Sequence, residues 1–313
     1  MGYDSLARWQ LLQGSIAHRT AQDNVSHLIP DASVDCVLVD VPYGSTQNEW
    51  DIRLDLTKLR PFYQRVLKPK AAIVMFSDMR YALDELSAWK DIFRFDYVWG
   101  KNTSHGHLNA NRQPMRSHEH MLVFGFEAPL FWPRKTDGHP RKVGPNKTRG
   151  LAINTYGAEN GIPVYDRTTR YDTTVLDQFD VVHKFKSCAP ERIHPQQKPV
   201  ALLAYLLRSL TRPGALVLDH CAGSGSTGVA ALQSMRRFVG IEAREDYATA
   251  AREWLTREAE ANPIRKHLWQ ENPEDPEGWL CTACKLTDQH ECAALPCDPT
   301  SFVPVNIKDV QDG

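Results

Sequence analysis

Asp40, Pro42 and Tyr43 fall within four positions of one another, directly after the apolar run VDCVLV. A carboxylate accepts hydrogen bonds, a proline fixes φ and removes a competing donor, and a tyrosine ring offers a face for stacking. Taken alone, the stretch also reads as a strand followed by a plain Pro-Tyr-Gly turn. A second group lies far along the chain. Asp219 closes the apolar run ALVLD, and Gly223, Gly225 and Gly228 then form G-x-G-x-x-G. Glycines at that spacing allow a tight turn and close approach of a ligand beside a helix N-terminus. Glu242, nineteen residues after Gly223, ends the next apolar run and is placed to hold ribose hydroxyls. A third group is Cys281, Cys284, Cys292 and Cys297, four thiols within seventeen residues. Such a cluster suggests tetrahedral zinc, with His290 as a substitute ligand; disorder and adventitious disulfides are the alternatives.

The glycine turn with its following acid calls for a nucleoside-type cofactor. NAD fits the glycines but gives no role to the cluster at 40–43. S-adenosylmethionine fits the same turn, since its adenosine also needs a ribose-binding acid, and Asp219 could accept from its α-amino group. Thr227, at the start of the following helix, reads equally as a plain cap or as a ligand.

These side chains need elements to hold them. DCVLVD and AAIVMFS (71–77) read as buried strands on either side of the helical stretch DLTKLRPFYQRVL. FDYVWGK and HMLVFGF read as further strands, and PVALLAYLLRSL (199–210) is apolar at helical spacing. The run from Gly214 gives a strand, the glycine turn and a helix; RRFVGIEARE gives a strand, and DYATAAREWLTREAEAN a helix. Such alternation predicts an α/β fold with a doubly wound, mostly parallel sheet. Ligands of such sheets bind outside the carboxyl ends of the strands, where Asp40, Asp219 and Glu242 fall. From 101 to 192, Gly, Pro, Asn and Thr are frequent and periodicity is weak. That marks a loop-rich insertion too long for a plain connection.

The blocks DVPYG (40–44), HPQQKPVALLAYLL (194–207) and VLDHCAGSGSTGVAA (217–231) resemble, in this order, the signature blocks of the DNA amino-methyltransferases. The catalytic block precedes the cofactor block, as in the beta group of that family. RVLKPKAAIVMFS, YVWGKN and SHEHMLVF resemble its connecting segments, and the similarity covers residues 10–255. The resemblance implies a Rossmann-like fold, S-adenosylmethionine as cofactor and double-stranded DNA as substrate, with the target base flipped out of the stack. It implies that Asp40 and the Val41 carbonyl accept hydrogen bonds from the exocyclic amino group, that Pro42 stiffens the turn, and that Tyr43 stacks on the base, worth ~1–3 kcal/mol. Val41 stands where proline is commoner, but the working group there is the carbonyl.

For the cofactor, the resemblance implies Asp219, Glu242 and the loop of Ala222, Gly223, Ser224, Gly225, Ser226 and Thr227. His194, Gln197 and Lys198 would lie over the methionine end, with Lys198 facing its carboxylate. Ser15 occupies a place where the family often has an acid on the adenine. An aspartate at the first position of the catalytic block goes with adenine N6, a serine with cytosine N4. The expected activity is therefore site-specific adenine-N6 methylation of DNA, of the restriction-modification type. Cytosine-N4 methylation is the nearest alternative; an NAD-dependent oxidoreductase and a non-catalytic DNA-binding protein are more distant ones.

The 313 residues are 42% hydrophobic and 24% charged, with a formal net charge of −1. No apolar run approaches the ~20 residues of a membrane span. The N-terminal stretch lacks the basic start and apolar run of a secretory signal, so a cytoplasmic location is expected. Residues 101–150 carry nine Lys or Arg against three acids, with five histidines, while Glu242 to the end carries fifteen acids against seven bases. The basic stretch is a candidate polyanion-binding face or a solvated loop. In it, His105, His107, Asn109, Asn111, Arg112 and Arg116 can mix phosphate and base-edge contacts. The expected organisation is a catalytic domain of 1–100 with 193–260, a target-recognition insertion of 101–192, and a Cys-rich tail of 261–313. Cys36, Cys188 and Cys221 read as core or site-lining residues. A homodimer and a partner endonuclease are left open.

Overall fold

The computed structural model describes residues 8–16, 24–44, 53–134, 174–176, 197–261, 269–272 and 275–281. The chain divides into two compact units, Met1–Trp132 with Thr174–Gly313, and Pro133–Thr173. The first unit has strands β1 (Trp9–Gln13), β2 (Val34–Val39), β3 (Leu67–Ser77), β4 (Phe93–His105), β5 (Arg116–Phe124), β6 (Val175–Leu176), β7 (Leu216–Asp219) and β8 (Arg237–Glu242). Its helices are α1 (Leu56–Val66), α2 (Met79–Trp89), α3 (Val200–Leu210), α4 (Ser226–Gln233) and α5 (Glu245–Ala261). The eight strands form one sheet in the order β1-β8-β7-β2-β3-β5-β4-β6.

Two covered faces explain the near-continuous apolar strands. Along β2, Cys36 and Leu38 point into one core cluster, and Val37 and Val39 into the other. On β3, Ala72, Val74 and Phe76 face the first cluster, and Ile73 and Met75 the second. The first lies under α3, α4 and α5, through residues such as Leu206, Val229 and Leu255. The second lies under α1 and α2, through Leu59, Tyr63 and Trp89. Burying one such Leu, Val or Phe side chain stabilises by about 1.5–3 kcal/mol.

Connectivity then creates a crevice. β7 and β2 are adjacent and parallel. From β2 the chain crosses through α1 to β3 on one side; from β7 it crosses through α4 to β8 on the other. α1 packs on one core cluster through Leu59 and α4 on the other through Val229, so the two helices cover opposite faces, as right-handed crossovers on the two sides of the sheet require. The gap between them, at the strands' carboxyl ends, is a topological switch point, the binding place of doubly wound sheets.

Asp55 caps α1 by accepting from Thr57 N–H at 3.0 Å, and Asp78 caps α2 by accepting from Tyr81 N–H at 2.9 Å. Part of the expected insertion belongs to the sheet. β5 runs antiparallel between β3 and β4, because its apolar MLVF segment completes the core. β4 and β5 continue past Ser77, the last residue of β3, as a two-stranded arm whose register reaches His105 opposite Arg116. The tail contributes an antiparallel pair, β9 (Trp269–Asn272) and β10 (Asp275–Cys281). No helix among the described residues is long and apolar enough to cross a membrane.

Candidate active site

Four parallel strands lie side by side in the order β1-β8-β7-β2, and each delivers one expected site residue at or just past its carboxyl end. Ser15 follows β1, Glu242 ends β8, Asp219 ends β7 and Asp40 follows β2. Neighbouring strands are about 4.8 Å apart, so these ends span about 14 Å, the scale of an extended nucleoside ligand. The registers set the depth. Leu218 pairs with Val37 and Asp219 with Gly240, so Asp219 sits two residues deeper than Asp40 and Glu242 on either side. That places Asp219 at the floor, and it is only 3% exposed.

The glycine turn is assembled by short-range backbone contacts. Gly223 has φ +50° and Gly225 φ +81°, left-handed values suited to glycine. Gly225 N–H donates to the Ala222 carbonyl at 2.8 Å, and Ala222 N–H to the Ile241 carbonyl at 3.0 Å. Gly228 has a different task. A Cβ there would stand 2.6 Å from Leu255 and from the Phe238 ring, so its bare backbone lets α4 pack tightly on the sheet and α5. The Glu242 carboxylate ties the turn to β8, accepting from Gly223 N–H at 2.7 Å and from Arg244 N–H at 2.9 Å. Ala222, Ser224, Ser226 and Thr227 are all buried around this turn. Ser15 is joined to Asn24 by a backbone bridge, and its carbonyl accepts from Val25 N–H at 3.1 Å.

The Asp40 end is held by side chains. Tyr43 donates its hydroxyl to Asp40 Oδ1 at 2.8 Å, and its ring lies 5.2 Å from that of Tyr81 on α2. Lys198, just before α3, brings Nζ to 2.7 Å from Asp40 Oδ2 and 3.3 Å from Glu119 Oε2. The ammonium also lies 4.9 Å from the Phe76 ring centroid. Lys101 on β4 pairs with the other Glu119 oxygen. Lys198, expected to face a cofactor carboxylate, is therefore found on Asp40 and Glu119. A buried ammonium must be neutralised, and these are the carboxylates within its reach. Gln197 is half-buried beside it; His194 lies outside the described residues.

Burial tunes the acids of this edge. It raises the Asp219 carboxyl to about 7, against hydrogen bonds from Thr227 and Cys221 N–H, with Asp40 and Glu242 adding to the rise. No Lys or Arg pairs with Asp219 among the described residues. Burial likewise raises Glu242. Glu85 on α2, fully buried, is pushed up to about 8 by burial, with Asp78 and Asp84 adding to it. Burial raises the Tyr43 hydroxyl well above its usual range, and the Asp40 charge raises it further. His220 is pushed down to about 3 by burial; its Nε2 meets the Tyr63 hydroxyl at 2.5 Å and its Nδ1 the Cys221 thiol at 3.4 Å. It is a neutral packing residue behind the site. Cys36 is core and Cys221 lines this edge, while Cys188 lies outside the described residues.

Among these partners, Glu119, Lys101 and the Tyr63–His220 contact were not foreseen from residue types and spacing. The nearest signal was the string SHEH, whose acid stands on a strand flanked by histidines. Cys281 closes β10; Cys284, Cys292 and Cys297 lie outside the described residues, and no group of three or more metal-binding side chains occurs among the described ones.

A family model described as DNA methylase, of the N6/N4 type, matches residues 34–253, from the start of β2 to the middle of α5. The chain belongs to the N6/N4 DNA methylase family. Its members modify an amino nitrogen, adenine N6 or cytosine N4. Over 64 residues the chain is 56% identical to the YubD protein of Escherichia coli (strain K12), which covers 20% of this chain and 28% of that one. Over 69 residues it is 45% identical to the type II methyltransferase M2.DpnII of Streptococcus pneumoniae, covering 22% and 26%. The matches thus span about a quarter of the length of these curated relatives. Among solved structures, the PvuII DNA methyltransferase (cytosine-N4-specific) superposes with a TM-score of 0.51 at 16% identity, over 81% of this chain and 92% of that one. That likeness supports the Rossmann-like fold of this family member.

Proposed function

We propose that this chain is a site-specific DNA methyltransferase that uses S-adenosylmethionine to methylate adenine at N6 in double-stranded DNA. One observation carries the reading: Glu242, Asp219 and Asp40 stand in a row on adjacent strand ends, with a glycine turn at one end and a tyrosine at the other. The residues fit the cofactor. Asp219 is buried without a cationic partner among the described residues and has a raised pKa, and an α-ammonium group is the partner that would restore its charge. Glu242, with about four lone-pair sites, retains acceptor capacity beside its backbone donors Gly223, Ala243 and Arg244, as ribose hydroxyls require. Ala222, Gly223, Ser224, Gly225, Ser226 and Thr227 form the cradle, with Ser15 beyond Glu242 and Gln197 beside Lys198; a role for His194 at the methionine end rests on the sequence block HPQQKP alone. When bound, the cofactor supplies an electrophilic methyl group.

Asp40 and the Val41 carbonyl accept from the target amino group and turn its lone pair toward that methyl. Positioning of this kind supplies several kcal/mol of rate enhancement. Tyr43 stacks on the extruded base, its ring backed by Tyr81. Asp40 as first residue of its block favours adenine over cytosine N4. The β4–β5 arm rises from the edge that carries Asp40, with no acid from Lys101 to Arg116. At its tip His105, His107, Asn109, Asn111 and Arg112 are exposed, and Leu108 is 88% exposed. That surface suits a polyanion, and the target-recognition role assigned to 101–192 begins there, with 1–100 and 193–260 as the catalytic portion. The cysteines of the 261–313 tail are proposed to hold zinc; elemental analysis finding about one zinc per chain supports this, and none under reducing conditions removes it. The main test is incubation of the protein with duplex DNA and methyl-labelled cofactor, then digestion and mass spectrometry. N6-methyladenine supports the proposal, N4-methylcytosine corrects the base, and absence of any methylated nucleoside overturns it.

A further inference from the structure

The ion pairs around Asp40 form a continuous chain. Lys101 on β4 meets Glu119 on β5; Glu119 meets Lys198 at 3.3 Å; Lys198 meets Asp40 at 2.7 Å; and Asp40 accepts the Tyr43 hydroxyl at 2.8 Å. The charges alternate in sign and the four sum to zero, which makes their burial tolerable. Burial works against the charges on Glu119 and Lys198. For Glu119 the two lysines outweigh it and hold the carboxyl low; for Lys198, Asp40 and Glu119 outweigh it and raise the ammonium.

We infer that Glu119 is a positioning residue for methyl transfer, acting on Asp40 through Lys198. This rests on the reading of Asp40 as acceptor for the target amino group. A carboxylate has about four lone-pair sites; Tyr43 and Lys198 take one on each oxygen, leaving the others for the base. Held by Asp40 alone, the Lys198 ammonium would be free to swing across both oxygens and rotate the carboxylate. The second ion pair, to Glu119 Oε2 at 3.3 Å, restrains the ammonium beside the Phe76 ring. Because Lys101 and Glu119 lie at the root of the β4–β5 arm, where Trp99 pairs with Glu119, the arm and Asp40 share one electrostatic frame.

The test uses the full chain carrying Glu119→Gln and Glu119→Asp, with Asp40→Ala in parallel. Single-turnover methylation, KM for S-adenosylmethionine and DNA affinity are measured, with melting as the fold check. Glu119→Gln should slow methyl transfer by about 10- to 100-fold, the range expected when one partner of a buried charged pair is removed. KM for the cofactor and DNA affinity should stay within about threefold, and Glu119→Asp should recover most of the rate. A folded Glu119→Gln protein at the wild-type rate overturns the inference, and so does a rate loss matched by equal losses in both affinities. If Glu119→Gln does not fold, Lys101→Met takes its place: a several-fold slower transfer supports the inference and a wild-type rate overturns it. Fully active Asp40→Ala discards the reading of Asp40 and the inference with it; inactive Asp40→Ala beside fully active Glu119→Gln discards the inference alone.

Discussion

The two halves of the strand-end row are built in different ways. The glycine-turn half is made mainly of backbone, from residues 216–244, and its key bonds link positions at most about twenty residues apart, as between Gly223 and Glu242. The Asp40 half is made of side chains from four separated segments, contributing Asp40, Lys101, Glu119 and Lys198. A backbone cradle tolerates changes in side chains that merely line it. A cluster of half-buried charges around a buried ammonium does not, because removing one partner strands another.

Variants can set the halves against each other. The largest contrast should come from Glu242→Ala. It removes the acceptor for Gly223 N–H and Arg244 N–H together with the proposed ribose partner, so cofactor affinity should fall by about 10- to 100-fold. DNA affinity should stay within about twofold in a gel-shift titration. Equal loss of both would mean that the halves are not separable. On the other side, Tyr43→Ala should lose the stacking face and slow methylation by about 5- to 100-fold. Tyr43→Phe keeps the ring but drops the hydroxyl that Asp40 accepts, and should cost a several-fold reduction, about 1 kcal/mol. Kinetics in which Phe and Ala behave alike would show that the hydroxyl matters and the ring does not.

A smaller effect concerns stability and sharpens the role of burial. The Glu85 carboxyl titrates at about 8 in the folded chain, against 4.5 as its ordinary value. The folded state therefore holds this proton more tightly than the unfolded state does, and stability must fall as pH rises from about 4.5 toward 8 and level off above. Glu85→Gln cannot titrate. Its melting temperature relative to wild type should climb between pH 5 and pH 8, and a constant difference would contradict the assignment.

The same contrast explains what could be read from the sequence. Strands β2, β3, β7 and β8 and helices α1, α3, α4 and α5 announce themselves through apolar periodicity, and the glycine turn through residue type. Asp40, Asp219 and Glu242 were legible because each ends or directly follows a strand, and a doubly wound sheet gathers its strand ends on one edge. Glu119 was not legible, since its meaning depends on Lys198, 79 positions away in sequence. Nor was the partition of 101–192. The polar 101–116 reads as loop, yet it carries the strand ends of an arm, because β4 and β5 support each other beyond the core.

In the proposed mechanism Asp40 presents the amino group of a flipped adenine to the donor methyl. The most direct measurement is the nucleoside product of duplex DNA treated with wild-type protein and with Asp40→Ala, in the presence of S-adenosylmethionine. N6-methyladenine is expected from the wild type and none from Asp40→Ala, with cofactor binding by that variant largely intact. Asp40→Ala protein that methylates at the wild-type rate would contradict that mechanism.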